Sequence, residues 1–289
     1  HELLPNSTYF DEFQGYIREF SLSGSPLLKN YTETRDYFLN EREANPNMFG
    51  TLENFYAQNL EDFAPNTIQT YNITGCKVAT QAAYIFGLNE DNIEQIGYTS
   101  GDGTVPIISA DYVNIPATNK FYAKDADHGS LPSKNGVREL ILKILSGSDD
   151  ELENNVSNNP DFCNFKGKKL TWHSPVAVHI YDTAGRHTGP MENDAIEYGI
   201  PGVDYEVIGH NKFVFLPTDN GETYRVEGLG LDTGSFDLLI TEIDNDQNLE
   251  TQVFNDIPIN INNEIKFNID NAINETIEVK EVGQTRIEE

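Results

Sequence analysis

The sequence predicts two domains of different fold class: an α/β domain over residues 1–147 and an antiparallel β-sandwich over residues 170–289. Three observations support the division. Residues 92–145 show, in chain order, the patterns of a strand, a second strand and an amphipathic helix. Residues 148–169 are polar and acidic and contain a proline, which is typical of a linker. After them, short alternating segments recur between turn residues, and 289 residues are enough for two domains.

The α/β prediction depends on three elements. Residues 92–98 alternate apolar and polar side chains and predict a strand, and residues 120–123 predict the next one. Residues 134–145 predict an amphipathic helix with Ser133 as its N-cap. The apolar face of this helix would consist of Val137, Leu140, Ile141, Ile144 and Leu145.

An acid and a histidine follow the two predicted strands. Asp102 lies between two glycines, which let the backbone turn sharply, and His128 lies in the loop before the helix. The order acid, histidine, closing helix is that of the C-terminal part of an α/β-hydrolase, in which a serine comes first. There, Asp102 would orient the imidazole and His128 would transfer the proton of the serine hydroxyl. Taken singly, an aspartate between glycines is usually a turn residue and a loop histidine a surface residue, so the interpretation depends on their joint arrangement.

Two segments resemble a known family. Gly101-Asp-Gly-Thr-Val-Pro106 with Ser109, and His128-Gly-Ser-Leu131, are similar to the acid and histidine motifs of lecithin:cholesterol acyltransferase-like lipases. The opening His1-Glu-Leu-Leu-Pro5 with Tyr9-Phe10 resembles a segment that follows the nucleophile in that family. The similarity covers residues 1–147. It implies an α/β-hydrolase fold, acyl esters of lipids as substrates, Asp102 and His128 as triad members, and a catalytic serine upstream of His1.

The family's nucleophile motif Gly-x-Ser-x-Gly has no counterpart in the sequence. Ser23 lacks the first glycine, Ser100 has a glycine on one side only, Ser130 lies in the loop of His128 itself, and Ser148 follows the closing helix. The strained strand-to-helix turn of a nucleophile needs small residues on both sides. We therefore expect the nucleophile to be absent from this chain, the chain to be the C-terminal part of a longer protein, and the chain alone to be inactive.

Composition restricts the partners. The chain has 47 acidic and 19 basic residues, a formal net charge of −28, which predicts repulsion from nucleic acid and from anionic membrane surfaces. A lipid or other acyl-ester substrate would have to be neutral or bind through apolar contacts. No transmembrane run or signal peptide is visible, and we expect an extracellular protein without cofactor or metal.

Cys76 and Cys163 do not make a disulfide framework, and two free thiols are favoured because the pair spans the predicted domain edge. A nucleophilic role for Cys76 is a minor alternative.

Residues 11–65 are rich in aromatic and acidic side chains and predict short helices over 30–39 and 51–60. In a hydrolase this region would form a cap with Phe49, Phe55 and Tyr56 as candidate substrate contacts. Packing of these rings between the helices is the favoured alternative.

The second domain provides strands and turns rather than a recognisable site. Predicted strands cover residues 176–181, 205–215 (a hairpin turning at 209–211), 236–243, 264–269 and 276–279. His173, His179, His187 and His210 have no ligand-spaced partners and are interpreted as surface or strand residues. Residues 244–248 open like a calcium loop but lack its glycine and its bidentate glutamate, so a turn is favoured.

Two functions of different class remain open. The first is a part of a serine acyl hydrolase or O-acyltransferase, of lipase or esterase type, that supplies Asp102 and His128. The alternative is a non-catalytic binding protein with a degenerate hydrolase domain and a ligand-binding sandwich.

Overall fold

The computed structural model describes residues 9–10, 15–19, 27–56, 68–87, 93–173, 175–193, 195–219, 221–245, 247–270, 275–281 and 284–288. The chain divides into two compact units, His1–Cys163 and Asn164–Glu289. The first unit combines helices and strands, the second consists of strands, and most strand pairs of the described residues are antiparallel. The β-rich class predicted for the second part of the chain is therefore confirmed. The segment His1–Pro5, on which part of the family resemblance depends, lies outside the described residues.

The division between the units falls inside the predicted linker, residues 148–169, and this segment contains regular secondary structure. Strand β7 (Val156–Ser157) pairs with a strand of the first unit, and a 3₁₀ turn follows at Pro160–Cys163. Strand β8 then begins the second unit at Lys166. The buried side chains of Val156 and Cys163 explain why this acidic segment is folded, since polar composition does not exclude a few apolar anchors.

Four α-helices and seven strands of the first unit lie wholly within the described residues. The helices are α1 (Tyr31–Asn40), α2 (Pro46–Tyr56), α3 (Ile107–Ala110) and α4 (Val137–Ser146). The strands are β1 (Ile17–Glu19), β2 (Leu27–Lys29), β3 (Asn72–Cys76), β4 (Val78–Phe86), β5 (Ile93–Gly101), β6 (Lys120–Lys124) and β7.

Strands β4 and β5 form a long antiparallel pair, which is one edge of a sheet with the order β2-β1-β4-β5. The prediction that residues 92–98 form a strand is thus confirmed, but the strand, β5, extends to Gly101. The next predicted strand, at residues 120–123, is β6 and lies in a different sheet. Sequence reasoning missed β4, whose run of small and apolar residues does not alternate.

The parallel partner of β6 is β3, in a second sheet with the order β3-β6-β7. Helix α4 packs on this sheet through Val137 and Leu140, against Ala123 and Val156. The helix begins three residues later than predicted, and its N-terminal amide at Gly136 is capped by the carboxylate of Glu139 rather than by Ser133. On the predicted apolar face, Leu145 is exposed instead of packed.

The second unit is built from two antiparallel sheets. In the described residues, one sheet has the order β11-β10-β9-β14-β17-β18-β19 and the other the order β12-β13-β8-β15-β16. The strands are β8 (Lys166–His173), β9 (Val176–Tyr181), β10 (His187–Pro190), β11 (Ile196–Tyr198), β12 (Asp204–Ile208), β13 (Asn211–Pro217), β14 (Tyr224–Gly230), β15 (Gly234–Asp244), β16 (Gln247–Ile259), β17 (Glu264–Ile269), β18 (Ile277–Glu281) and β19 (Gln284–Glu288).

One hydrophobic core serves both sheets of this unit. Alternate residues of β9 (Val176, Val178 and Ile180) are buried in it, as are Leu170 and Trp172 of β8. The period-two burial explains why β9 and β17 have the bounds that the sequence predicts.

Candidate functional site

The carboxylate of Asp102 is held at the end of strand β5. Its residue is 6 % exposed. The oxygen Oδ1 accepts hydrogen bonds from the backbone amides of Thr104, at 3.0 Å, and Val105, at 2.7 Å. Two amides on one oxygen fix the side chain and leave the other oxygen, Oδ2, for a different partner.

The two glycines beside Asp102 are required by local geometry. A Cβ atom at Gly101 would lie 2.4 Å from the hydroxyl of Thr80 and 2.5 Å from the carbonyl oxygen of Val105. Gly103 has a φ of +85°, in the region that disfavours side chains. The Thr80 hydroxyl also accepts the amide of Gly103 at 2.9 Å and thereby ties the turn to strand β4.

The loop that carries His128 is held from both ends. The amide of Asp125, a residue with a φ of +55°, donates to the carbonyl of Cys76 at 2.9 Å. The amide of His128 donates to the carbonyl of Asp102 at 2.8 Å. The histidine backbone is therefore bonded directly to the acid residue, in addition to any side-chain contact.

The side chains of Asp102 and His128 meet, although 26 residues separate them. The Oδ2 atom of Asp102 lies 2.9 Å from Nδ1 of His128. With the carboxylate ionised, this contact favours the tautomer with a proton on Nδ1, so the lone pair is on Nε2. The acid side chain is 8 % exposed and the imidazole 56 % exposed, so the pair has a buried acid and an accessible base.

Gly75 lies close to both Asp102 and the loop of His128. Sequence reasoning did not single this residue out. A Cβ atom there would lie 2.7 Å from the carbonyl oxygen of Ala126 and 2.8 Å from Cβ of Asp102. Residue 75 therefore has to be glycine for the acid and the histidine loop to approach strand β3 so closely. The only available signal was the Gly75-Cys76 pair at the end of an apolar run.

Cys76 and Cys163 form a disulfide, and the prediction of two free thiols is wrong. The fold brings the end of β3 and the 3₁₀ turn at 160–163 together, with the two Cα atoms 5.5 Å apart. Both cysteines are buried with Tyr122. The disulfide also excludes the minor alternative of a nucleophilic Cys76, because a disulfide sulfur has no thiolate.

The serines nearest in sequence to Asp102 and His128 are hydrogen-bonded to other groups. Ser100 is 2 % exposed, and its hydroxyl accepts the amide of Lys77 at 2.9 Å. The Ser130 hydroxyl donates to the Asp127 carboxylate. Ser23 and Ser25 lie outside the described residues. Within the described ranges, no hydroxyl group is hydrogen-bonded to the His128 ring.

Asp127, the carboxylate next to His128 in sequence, has a separate structural role. It caps the turn after the histidine by accepting the amide and the hydroxyl of Ser130. The hydroxyl bond is the main reason why the pKa of Asp127 is lowered from its ordinary value. Asp127 is thus a turn residue, and Asp102 is the partner of the imidazole.

The aromatic residues predicted to contact substrate have different environments. Phe49 on α2 is 7 % exposed, and Phe55 is 52 % exposed. The side chain of Tyr56 and the predicted extension of the helix to residue 60 lie outside the described residues.

The second unit contains a histidine pair instead of isolated histidines. Nδ1 of His179 lies 3.0 Å from Nε2 of His187, whose Nδ1 lies 2.7 Å from the Glu197 carboxylate. Burial, followed by the charge of His187, lowers the pKa of His179. His173 is also a strand residue, and His210 lies in an exposed turn. No cluster of three or more potential metal ligands occurs in the described part of the chain.

The loop that resembles a calcium site joins β15 to β16 and is a turn, as predicted. Asp244 ends β15 and forms an ion pair with Lys166, and Asn245 has a φ of +49°. Asp246 lies outside the described residues.

Comparison of the chain with family models, with curated proteins and with solved structures finds no match in any of the three. No helix among the described residues is long and apolar enough to cross a membrane.

Proposed function

We propose that this chain supplies the acid and the general base of a serine acyl hydrolase or acyltransferase, with Asp102 as the acid and His128 as the base. One observation carries the proposal: the 2.9 Å contact between Oδ2 of Asp102 and Nδ1 of His128. In acyl transfer through a serine, the imidazole takes the hydroxyl proton on Nε2 and returns it to the leaving group. The buried carboxylate stabilises the imidazolium that forms between these steps.

The surrounding fold supports the C-terminal part of an α/β-hydrolase as the source of this pair. Strands β3 and β6 are parallel neighbours, the histidine loop follows β6, and helix α4 packs on the same sheet. This is the order in which an α/β-hydrolase presents its last strands, its histidine and its closing helix. Along the chain, the β4–β5 hairpin lies between these two parallel strands, and Asp102, which follows it, contacts His128.

The serine would come from a polypeptide segment that this sequence does not contain, because no Gly-x-Ser-x-Gly motif occurs in it. The 56 % exposed imidazole is accessible to such a segment. Docking of the segment would exclude water from the imidazole and so strengthen its interaction with Asp102.

The substrate class follows from charge and from the family resemblance. A chain with a net charge of −28 repels anionic surfaces, so a neutral acyl ester of a lipid or other alcohol is the favoured substrate. The Cys76–Cys163 disulfide supports an extracellular or otherwise oxidising location, because such bonds are rare in reducing compartments.

The test is ester hydrolysis by the full-length product of the gene that encodes this sequence. We expect Asp102→Asn and His128→Ala each to lower kcat/KM for a p-nitrophenyl acyl ester about 10⁴-fold. Asp149→Asn and His210→Ala change exposed residues of the same types and should keep the wild-type rate. The 289-residue chain by itself should be inactive.

Wild-type rates in both site variants would refute the assignment of the acid and the base. A full-length product that binds acyl esters without hydrolysing them, and that is unaffected by His128→Ala, would favour the non-catalytic binding protein instead.

A further inference from the structure

A lysine and a glutamate meet inside the second unit. Lys168 on β8 is 3 % exposed and Glu275 is 7 % exposed. The Nζ atom of Lys168 lies 2.5 Å from Oε1 of Glu275, and 107 residues separate the two along the chain. The contact joins the first strand of this unit to the segment that leads into β18.

The alternation along β8 explains why Lys168 points inward. Leu170 and Trp172 lie on the same side of this strand and belong to the hydrophobic core. The strand pairing places Glu242 of β15 directly opposite Lys168, as Ile240 is opposite Leu170. Lys168 therefore occupies the end of the core face, with its amine in contact with Glu275 and with Glu242 at the paired position of the neighbouring strand.

The backbone of Glu275 is held in place by Gln252. The side-chain amide of Gln252 donates to its carbonyl at 2.7 Å, and the side-chain oxygen of Gln252 accepts its amide at 2.8 Å. A backbone hydrogen bond from Asp270 also reaches the carboxyl group. Because Oε1 is bonded to the carboxyl carbon Cδ, the contact also brings Cδ near the amine nitrogen.

Burial makes the charged forms of this pair costly. Two ions removed from water lose hydration that their attraction only partly restores. Burial is the main reason why the pKa of Glu275 is raised, and the ammonium of Lys168 offsets the shift only in part. The neutral acid, which is the reactive form of Glu275 for amide formation, is thus more accessible here than at a surface.

We propose that Lys168 and Glu275 condense after folding to an intramolecular amide cross-link. The lone pair of the neutral Nζ attacks Cδ of the protonated Glu275 carboxyl, forming the C–N bond. The C–O bond to the hydroxyl then breaks, and one Nζ proton leaves with that hydroxyl as water. Glu242 is the proton carrier: its carboxylate accepts the Nζ proton and returns it to the departing hydroxyl, so no oxidant, reductant or cofactor is consumed.

A backbone donor lowers the barrier to the reaction, and the surrounding core favours the condensed product. The backbone N–H group of Asp270 can stabilise negative charge on the carboxyl oxygen in the tetrahedral intermediate. The apolar core around Leu170 and Trp172 excludes the water that would reverse the condensation.

The test is the intact mass of the purified wild-type chain after denaturation and full reduction of the disulfide. We expect a mass lower than that of the sequence by one water molecule, with tandem mass spectrometry of a digest assigning the loss to a branched peptide joining Lys168 to Glu275. A full sequence mass, or a water loss that maps to another position such as Asp102-Gly103, would overturn the proposal.

Variants separate the chemistry from folding. Lys168→Met should restore the full mass, whereas Lys166→Met, on the same strand but exposed and paired with Asp244, should retain the cross-link. Glu275→Gln should lose ammonia instead of water, because the amide nitrogen becomes the leaving group. Glu242→Gln should leave a fraction of uncross-linked chain that decreases with time, and immediate complete cross-linking would refute its role as the proton carrier.

Discussion

Gly75→Ala tests whether the close approach of strand β3 to the acid–histidine pair is needed for the site. The new Cβ atom would lie 2.7 Å from a backbone oxygen of residue 126 and 2.8 Å from Cβ of Asp102. Neither atom is the end of a flexible side chain, so the backbone has to move. Overpacking of this kind costs about 1–3 kcal/mol, and the reduced freedom of the unfolded chain returns about 0.4–1 kcal/mol. We expect a net loss of about 1–2 kcal/mol in the free energy of unfolding.

Urea denaturation measures the stability change, and nitrogen-detected NMR of the imidazole measures the contact between Asp102 and His128. In Gly75→Ala the signal of the Nδ1 proton should broaden or shift, because Asp102 is displaced. Gly50→Ala is the matched control: Gly50 lies in helix α2, and a Cβ atom there meets nothing within 4 Å. It should stabilise the chain by about 0.5–1 kcal/mol. If Gly75→Ala is as stable as the wild type with an unchanged imidazole spectrum, residue 75 does not support the site.

Three further predictions concern the framework around the site and the second unit. Replacing both Cys76 and Cys163 by serine removes a cross-link that spans 87 residues. The double replacement should lower the free energy of unfolding, measured in urea, by about 2–4 kcal/mol. A change near zero would mean that the disulfide does not restrain the unfolded chain. Thr80→Val removes the acceptor of the Gly103 amide and should cost about 0.5–1.5 kcal/mol, whereas Thr80→Ser keeps the hydroxyl and should cost less. A larger loss in Thr80→Ser than in Thr80→Val would show that the methyl group, not the hydroxyl, matters. Because burial lowers the pKa of His179, the unfolded state binds a proton more readily than the folded state, so the stability of the second unit should increase as the pH rises through about 6.5. His179→Gln should flatten that dependence, and a flat wild-type profile would contradict the buried environment of His179.

The acid and the histidine could be predicted from the sequence because their signals are local. Glycines on both sides of Asp102 indicate a tight turn, and the amphipathic pattern after His128 predicts the closing helix. Strands β9 and β17 are equally local, since one face of each is buried at every second residue. The same reasoning placed the helix start too early, because Ser133 looks like a cap in sequence while Glu139 provides the cap in space.

Long-range contacts were not predictable from local patterns. The pairing of β3 with β6 brings together residues 72 and 120, and no periodicity encodes that choice. The disulfide is also a long-range contact. Its two cysteines are far apart in the sequence and become neighbours because the segment before residue 163 packs on the rest of the first unit. Gly75 is the clearest example of a feature that local patterns do not reveal. A side chain at residue 75 would overlap with Asp102 and Ala126, which lie far away in the sequence.

Covalent labelling of the full-length gene product with a fluorophosphonate probe, followed by mapping of the modified residue, tests the roles proposed for Asp102 and His128. We expect one labelled serine, located outside these 289 residues, with a labelling rate that falls strongly in Asp102→Asn and His128→Ala. A labelled serine within these 289 residues, no labelling, or labelling that is independent of both residues would contradict these roles.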